Sequence, residues 1–415
     1  MSAAPGERAE AAGVFALALG LHAAIAFAVA RAVGVPLASL AAFFDGSIYL
    51  EIARSFPLPY APAAPHYASH APGYPALIYL LRQALPLERV HWGWLALGAS
   101  WVPAALAVAV FHGLCRDLGL RPRLPTLAFA CLHPRWLGVA ASAHAESLAM
   151  LLVLLAARAD RRNDLRACAL WLAAAGLTRY PALLVGAAVA WGALVDRRER
   201  RPGRLALLAL PPLGFGLFQL YLQARLPGFG GLSEAYRTFW DTHLTWPFAS
   251  LAGNLLAALR GEPVPGAALA YGAAALYLVS LAVAWRSPRP ELRWLGVWVA
   301  AVALFHASLA GEWGGFDYAR LTLLAWPAAL LVLWCRFAGG LGPRLAPALL
   351  AGAGALSLSL AVGTLADGAR WQGANYPWPG VAMRGFYREE PRWVDHSRWL
   401  PPSEASPGEA GGAEP

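Results

Sequence analysis

Long apolar blocks separated by short polar loops dominate the hydrophobic pattern of this chain. The first block runs from Ala12 to Ala30, and ten more follow at about 92–115, 124–142, 146–158, 166–178, 180–195, 204–224, 266–285, 293–310, 320–336 and 345–365. A helix needs about 20 mostly apolar residues to cross a bilayer, so each block is predicted to be a transmembrane helix, the first of them retained. The pattern predicts an all-α polytopic membrane protein with about 11 transmembrane helices.

The arginines between the blocks predict the orientation of these helices. Five short loops are basic, at 116–123, 158–166, 196–204, 286–293 and 336–344. The positive-inside rule places all five in the cytoplasm, which gives an N-in/C-out topology. The first outer loop is then 33–91, in which the short apolar piece 73–86 is predicted to be an interfacial helix.

The same topology places further polar segments on the outer side. They are the turn at 143–146, a hairpin tip at 178–181, a second large outer loop at 225–265, and the segment 312–320. We expect one transmembrane domain over 1–366. The remaining residues, 367–415, form an outer-side tail rich in Trp and Pro, and the composition of its end predicts disorder.

Composition supports a membrane protein and excludes nucleic acid as a partner. The chain is 58% hydrophobic and 14% charged, with a mean hydropathy of +0.48. Soluble proteins carry about 25% charged residues. The net charge of +9 comes from arginines in the short loops, a distribution that reports topology and not a binding stripe.

Asp45 is the first candidate for chemistry. It opens the amphipathic stretch DGSIYLEIAR, which is predicted to be a helix that lies in the membrane interface. An aspartate there is either catalytic or an N-cap that satisfies free backbone N–H groups. Glu51 and Arg54 have the spacing of a solvated surface pair and are left outside the site.

Two histidines follow in the same loop. His66 and His70 have the spacing of metal ligands on a helix, but the prolines around them argue against a helix. A loop histidine that lines a polar cleft is the simpler interpretation. The turn at 71–75, which contains Tyr74, is expected to start a short helix over 76–85.

Glu146 lies between two apolar blocks in the sequence SAHAESL. An ionisable residue at membrane depth indicates function by default. The alternative is a helix N-terminus with Ser142 or Ser147 as the cap.

Two arginines are predicted on the outer side, where positive charge is disfavoured. Arg179 lies at the hairpin tip, and its alternative role is to reach the interface. Arg320 follows Asp317 and Tyr318, and its alternative role is an ion pair with Asp317. Two such arginines suit a phosphate or pyrophosphate group, which Arg binds in bidentate fashion.

The order of these motifs resembles the GT-C superfamily of membrane glycosyltransferases, which use polyprenyl- or dolichyl-phosphate sugars. FDGSIYLEIAR and HAPGYPALIYLL are similar to the first outer loop of bacterial phospholipid-carrier-dependent members. AHAESLAMLLVLLAA and AGLTRYPALLV resemble the family that adds the second mannose of GPI anchors, and its bacterial relatives. The resemblance covers about 13–195, and beyond that rests on topology and the DYAR…P pattern at 317–327.

The resemblance implies an inverting transfer of a sugar, a mannose-like hexose or a pentose, from a polyprenyl-phosphate donor. The acceptor is expected to be a lipid, glycan or protein at the outer face of a bacterial inner membrane. By position, Asp45 matches the general base or acceptor-positioning aspartate, and Glu146 matches the second acidic residue. Arg320 and Arg179 match the groups that meet the lipid phosphate.

Four further outer-side residues are expected to contact substrate: His70, Tyr74, His144 and Tyr318. Many GT-C members carry a paired acidic motif in the first loop, whereas Asp45 is followed by Gly46 and Ser47. The resemblance therefore leaves a divalent metal, Mg²⁺ or Mn²⁺, open, with Asp45 and Glu146 as its only candidate ligands.

Two other functions are compatible with the sequence. A lipid or solute transporter, such as a flippase of envelope glycolipid assembly, would tend to place ionisable groups at mid-membrane and to show repeated halves. A non-catalytic scaffold would leave Asp45 and Glu146 far apart.

Overall fold

The computed structural model describes residues 5–57, 60, 65–84, 92–195, 208–226, 228–240, 242–262, 266–310, 317–337 and 345–375. Within these ranges the chain is almost entirely helical, as the apolar pattern predicts. The basic loop at 196–204 and the tail beyond 375 lie outside the described residues.

Seventeen α-helices occur in the described residues. They are α1 (Pro5–Val33), α2 (Asp45–Arg54), α3 (Gly73–Ala84), α4 (Trp92–Asp117), α5 (Arg123–Cys131), α6 (Pro134–Ala141), α7 (Ala145–Arg161), α8 (Leu165–Gly176), α9 (Ala182–Val195), α10 (Leu210–Arg225), α11 (Leu232–Trp240), α12 (Ala249–Leu259), α13 (Ala267–Arg286), α14 (Pro290–Ala307), α15 (Tyr318–Leu321), α16 (Trp326–Phe337) and α17 (Leu345–Asn375).

Four of these helices are long and apolar enough to cross a membrane: α1, α4, α13 and α17. The pair α6 and α7 makes a fifth span if its two members are counted together. Other apolar helices, including α8 and α16, are shorter than a full span in the described residues. The structure is that of a multi-pass membrane protein, and the number eleven stays a prediction.

The expected single helix over 124–142 is wrong. The chain breaks after Cys131, and His133 caps the N-terminus of α6, its ring accepting a hydrogen bond from the Trp136 backbone N–H. Pro134 follows as the first residue of α6, a position at which its missing N–H costs nothing. The helices α6 and α7 then bend by 111° at the three residues between them. These breaks bring polar residues to the end of the bundle where the candidate site lies.

The main core lies where α4 packs between α1 and α7, with α8 on the far side of α7. Alanines such as Ala104 and Ala107 are fully buried along α4. Small side chains let membrane helices approach closely, so dispersion contacts accumulate without large apolar groups. Phe111 stacks on Phe129 nearby, with ring centroids 4.4 Å apart.

The described part of 33–91, the predicted first outer loop, is folded into the protein and does not lie flat in the interface. The helix α2 forms as predicted, but seven of its ten residues are buried, because it packs against α3, α4 and a 3₁₀ turn at Leu37–Ala42. The helix α3 starts at Gly73, three residues earlier than expected. The interfacial placement predicted for α2 is therefore corrected to a packed position.

Two contacts connect the outer loops to one another. The helix α11 of the second outer loop packs on a 3₁₀ turn at Pro65–Ser69 in the first outer loop. A two-residue antiparallel ribbon joins β1 (His243–Leu244) to β2 (Leu309–Ala310), just before the segment that carries Arg320. Residues far apart in the sequence therefore meet at one end of the helical bundle.

Candidate functional site

Asp45 is held by an arginine and does not act as a helix cap. The N-cap of α2 is Phe44, with a φ of 49°, and no side chain makes a capping hydrogen bond there. Instead, Asp45 Oδ2 accepts a hydrogen bond of 3.0 Å from Arg320 Nη1. The N-cap alternative is wrong.

Gly46 lets the start of α2 come close to two other segments. A Cβ at this position would collide with the carbonyl oxygen of Ala41 and would lie 3.1 Å from that of Ala143. The missing side chain brings the backbone beside Asp45 against the loop before Glu146. Local packing thus determines how near these two acidic residues lie.

Glu146 is buried in the first turn of α7, with its side chain 2% exposed. Its Oε1 lies 3.0 Å from Arg179 Nη2 and 3.7 Å from Arg320 Nε. Neither carboxylate oxygen has an aligned hydrogen bond within the described chain, so ion pairing alone compensates the buried charge. The carboxylate thus retains capacity to accept hydrogen bonds from a substrate.

Neither serine near Glu146 acts as the cap that the alternative required. The N-cap of α7 is His144, without a side-chain capping bond. Ser142 Oγ donates to the Gly138 carbonyl, and Ser147 Oγ accepts a hydrogen bond from Ser100 Oγ. Glu146 does lie at a helix N-terminus, as the alternative had it, but the serine caps of that alternative are wrong.

Arg179 turns inward from the tip between α8 and α9. Its side chain is 13% exposed and pairs with Glu146, so the alternative of reaching the interface is wrong. The tip is fixed by the first outer loop, because the Gly73 N–H donates to the Leu177 carbonyl at 2.7 Å. A Cβ on Gly73 would lie 2.6 Å from Thr178 Oγ1.

Arg320 is the residue at which the acidic side chains converge. The ion pair with Asp317 exists, with 2.5 Å between Arg320 Nε and Asp317 Oδ2. It coexists with the contacts to Asp45 and Glu146. These residues, Asp45, Glu146, Arg179, Asp317 and Arg320, are named the carboxylate–arginine cluster below.

A sixth charged residue, Arg135, borders this cluster and was missed in the sequence. Its Nη2 lies 3.8 Å from Asp317 Oδ1, and its side chain is 18% exposed. The signal was available, because an arginine inside a predicted membrane block indicates function. The interpretation of 124–142 as one plain span concealed it.

The charges around Asp45 determine its protonation. Burial by itself would raise the pKa of the Asp45 carboxyl, but the positive charge of Arg320 acts in the opposite direction. Together with smaller contributions of the same sign from His70, His144 and Arg179, it holds that pKa well below its usual range. Asp45 is therefore a carboxylate at every physiological pH.

Both candidate histidines lie beside the cluster. His144 is 1% exposed, and its Nδ1 is 2.9 Å from Ser142 Oγ. His70 packs edge-on against Tyr49, with ring centroids 5.3 Å apart, and its Nδ1 is 3.0 Å from Ser69 Oγ. Charge–charge interactions couple both rings to Asp45.

The two candidate tyrosines have a packing role. Tyr74 is fully buried, and its hydroxyl donates to the Ala96 carbonyl at 2.8 Å. Tyr318 is 1% exposed, and its hydroxyl donates to the Ala303 carbonyl. Both hydroxyls thus have backbone partners, and the expected contact of these tyrosines with a substrate stays a prediction.

Two other tyrosines lie closer to the charges than the sequence indicated. Tyr49 is one helical turn after Asp45 in α2 and is 1% exposed. Tyr236 lies on α11 in the second outer loop, and the charges of Arg179 and Asp45 both act on its hydroxyl. The segment 225–265 therefore brings one residue of α11, Tyr236, under the influence of the cluster's charges.

The interpretation of Glu51 and Arg54 as a solvated pair is wrong. Glu51 is 9% exposed and accepts a hydrogen bond from the Tyr67 hydroxyl. Arg54 lies against the ring of Trp92, 5.8 Å from its centroid. Helical spacing cannot reveal that the 3₁₀ turn at Pro65–Ser69 covers this side of α2.

The carboxylates of the cluster are paired with arginines. No group of three or more His, Cys, Asp and Glu side chains in the described ranges is arranged to hold a metal ion. Asp45 and Glu146, the two candidate ligands, each face an arginine. A guanidinium supplies positive charge where a cation would otherwise be needed.

Comparison with known proteins identifies a similar fold. No family model and no curated protein matches the chain at the level of sequence. The structure is similar to that of ArnT from Cupriavidus metallidurans bound to undecaprenyl phosphate, with a TM-score of 0.51 and 16% identity. The similarity covers 90% of this chain and 80% of the ArnT chain. The chain therefore has an ArnT-like fold, which confirms the GT-C-like expectation at the level of fold.

Proposed function

We propose that this protein is a glycosyltransferase that moves a sugar from a polyprenyl-phosphate donor to a hydroxyl group of an acceptor. The observation that carries the proposal is the convergence of Asp45 and Glu146, from different helices, on Arg320. This arrangement brings carboxylates that can accept a proton next to guanidinium groups that can bind a phosphate. The ArnT-like fold supports the proposal, since the similar ArnT structure holds undecaprenyl phosphate.

The proposed reaction assigns a role to each member of the cluster. The acceptor hydroxyl loses its proton to the Asp45 carboxylate while its oxygen attacks the anomeric carbon from the face opposite the phosphate. The bond between the anomeric carbon and the phosphate oxygen breaks, and its electron pair stays on the phosphate. Arg320 and Arg179 stabilise the charge that develops there. The configuration at the anomeric carbon is inverted.

Glu146 suits a role in holding the sugar. Its oxygens are paired with arginines but have no aligned hydrogen bond within the described chain. Sugar hydroxyls are donors that such a carboxylate accepts readily. We assign Glu146 to orientation of the donor sugar, a mannose-like hexose or a pentose.

The proposed setting is the outer face of a bacterial inner membrane, with a lipid, glycan or protein as the acceptor. A membrane-embedded donor needs no nucleotide-binding domain, because the lipid anchor itself brings the sugar to the site. No observation favours the transporter. The scaffold required Asp45 and Glu146 to lie apart, whereas both contact Arg320.

The test is the transfer rate of the Asp45→Asn variant in proteoliposomes that contain a radiolabelled polyprenyl-phosphate hexose and a lipid acceptor. Asn keeps the shape of the side chain but cannot take the proton, so we expect a loss of about 100-fold or more. Asp117→Asn is the matched control, because Asp117 also pairs with two arginines but lies outside the cluster. Transfer by Asp45→Asn at the wild-type rate contradicts the assignment.

A further inference from the structure

Arg320 lies next to three carboxylates, so a substrate phosphate that binds to it must displace at least one of them. Asp45 contacts Nη1 at 3.0 Å, Asp317 contacts Nε at 2.5 Å, and Glu146 lies 3.7 Å from Nε. With Arg179 and Arg135, three guanidinium groups face three carboxylates, so the charge of this set is balanced. A phosphate that binds here therefore competes with a carboxylate already in place.

The geometry of the guanidinium indicates which carboxylate leaves. A phosphate binds arginine best through two parallel N–H donors on one edge. The end-on edge, formed by Nη1 and Nη2, is partly occupied by Asp45. The side-on edge includes Nε, where Asp317 lies.

Asp317 is held beside Arg320 by the chain itself, although Arg320 Nε makes no aligned hydrogen bond to it. The two residues are three apart in the chain, and the Arg320 backbone N–H donates to the Asp317 carbonyl at 2.8 Å. Arg135 adds a second positive charge at Asp317 Oδ1. Asp45, in contrast, comes from α2, and its carboxylate reaches Arg320 by a single hydrogen bond.

We propose that the donor phosphate displaces Asp45 from Arg320 while Asp317 keeps the guanidinium in position, so that donor binding frees the Asp45 carboxylate for the acceptor hydroxyl. This inference rests on the proposed function and makes Asp317 a positioning residue. The displaced carboxylate loses its nearest positive charge, which increases its proton affinity at the moment when a base is needed. The exchange also imposes an order in which the donor binds before the acceptor is deprotonated.

The exchange predicts opposite effects of two isosteric changes on the affinity for undecaprenyl phosphate. Asp45→Asn removes the group that the phosphate must displace, so the Kd falls by about tenfold. Asp317→Asn loosens the guanidinium, so the Kd rises by about tenfold. If both aspartates served only as counter-charges, removal of either would tighten binding.

The experiment measures binding of undecaprenyl phosphate to the full-length protein in nanodiscs, with variants first checked for a monodisperse, cooperatively unfolding state. Asp117→Asn is the control and keeps the wild-type Kd, and Asp317→Glu restores binding relative to Asp317→Asn. If Asp317→Asn does not fold, Asp45→Asn still tests the displacement of Asp45, because an affinity no tighter than that of the wild type overturns it. Wild-type affinity or weaker affinity in Asp45→Asn overturns the exchange, as does tighter affinity in Asp317→Asn. If the wild type does not bind undecaprenyl phosphate, both the proposed function and the exchange are overturned. If the wild type binds and only the variants depart from the expected affinities, the exchange alone is overturned.

Discussion

Asp45 and Arg320 are 275 positions apart in the sequence, yet Arg320 Nη1 lies 3.0 Å from Asp45 Oδ2. The contact joins the predicted first outer loop to the predicted last outer segment and places Glu146 and Arg179 close by. A carboxylate held by a guanidinium supplies the two groups that the proposed sugar transfer requires, a base and a group that binds an anion.

The first prediction concerns Arg320→Gln. The change leaves three carboxylates without their shared cation, and breaking a buried pair in this way costs about 3–5 kcal/mol of unfolding free energy. We expect a clearly lower apparent melting temperature and loss of transfer. The double variant Arg320→Gln/Asp45→Asn regains part of the stability but no transfer, as measured by thermal unfolding and sugar transfer in parallel. Recovery of transfer in the double variant contradicts the proposed role of Arg320.

The second prediction compares a buried ion pair with an exposed one. Arg179→Gln leaves the carboxylate of Glu146, whose side chain is 2% exposed, without its nearest positive charge. The change is expected to lower the free energy of unfolding by about 3 kcal/mol. Arg162→Gln removes a pair with Asp117 in which Arg162 is 54% exposed, and is expected to cost less than about 1 kcal/mol. Denaturant or thermal unfolding of the purified variants measures the difference. Equal losses would show that the environment of Glu146 is more solvated than the structure indicates.

The third prediction concerns Gly73. A Cβ there would lie 2.6 Å from Thr178 Oγ1 and 2.8 Å from the Leu177 carbonyl, so Gly73→Ala displaces the tip that carries Arg179. We expect a cost of about 1–3 kcal/mol and a lower transfer rate. Gly98→Ala is the control, because a Cβ at that position in α4 meets nothing within 4 Å. An unchanged transfer rate in Gly73→Ala would show that the contact of Gly73 with the tip at Leu177 and Thr178 does not affect the site.

The fourth prediction concerns acid stability. The pKa of Asp45 is lower in the folded protein than its ordinary value of 3.8, so the ionised group contributes stability above about pH 4 that is lost as the pH falls further. Asp45→Asn lacks this contribution at every pH. The difference in melting temperature between wild type and Asp45→Asn is therefore expected to be largest near neutral pH and to shrink towards pH 3. A difference that stays constant with pH would contradict the ion pair.

The fifth prediction concerns metals. Since the described part of the chain has no group of three metal-ligating side chains and both candidate carboxylates face arginines, transfer is expected to persist in EDTA. The assay is the same proteoliposome transfer with and without the chelator. Loss of transfer that Mg²⁺ or Mn²⁺ restores would contradict this expectation.

Much of the cluster could be predicted from the sequence. Asp45, Glu146, Arg179 and Arg320 stood out because ionisable groups are rare near apolar segments and costly to bury there. Arg135 offered the same signal, but 124–142 was interpreted as one span, and the break before α6 that brings it to the cluster was not predicted. The burial of Glu51 could not be predicted, because it depends on the turn that covers α2.

The sequence by itself determined the class of protein, the approximate positions of its helices and the residue types available for chemistry, since hydrophobic length and charge act locally along the chain. Only the tertiary structure decided which charges from distant segments meet. Asp317 and Arg320 are three residues apart, and their ion pair was open to sequence reasoning. The pairing of Asp45 with Arg320 depends on a contact between segments 275 residues apart. Hydrophobic periodicity carries no information about such contacts, because it specifies which face of a helix is buried but not which helix covers it.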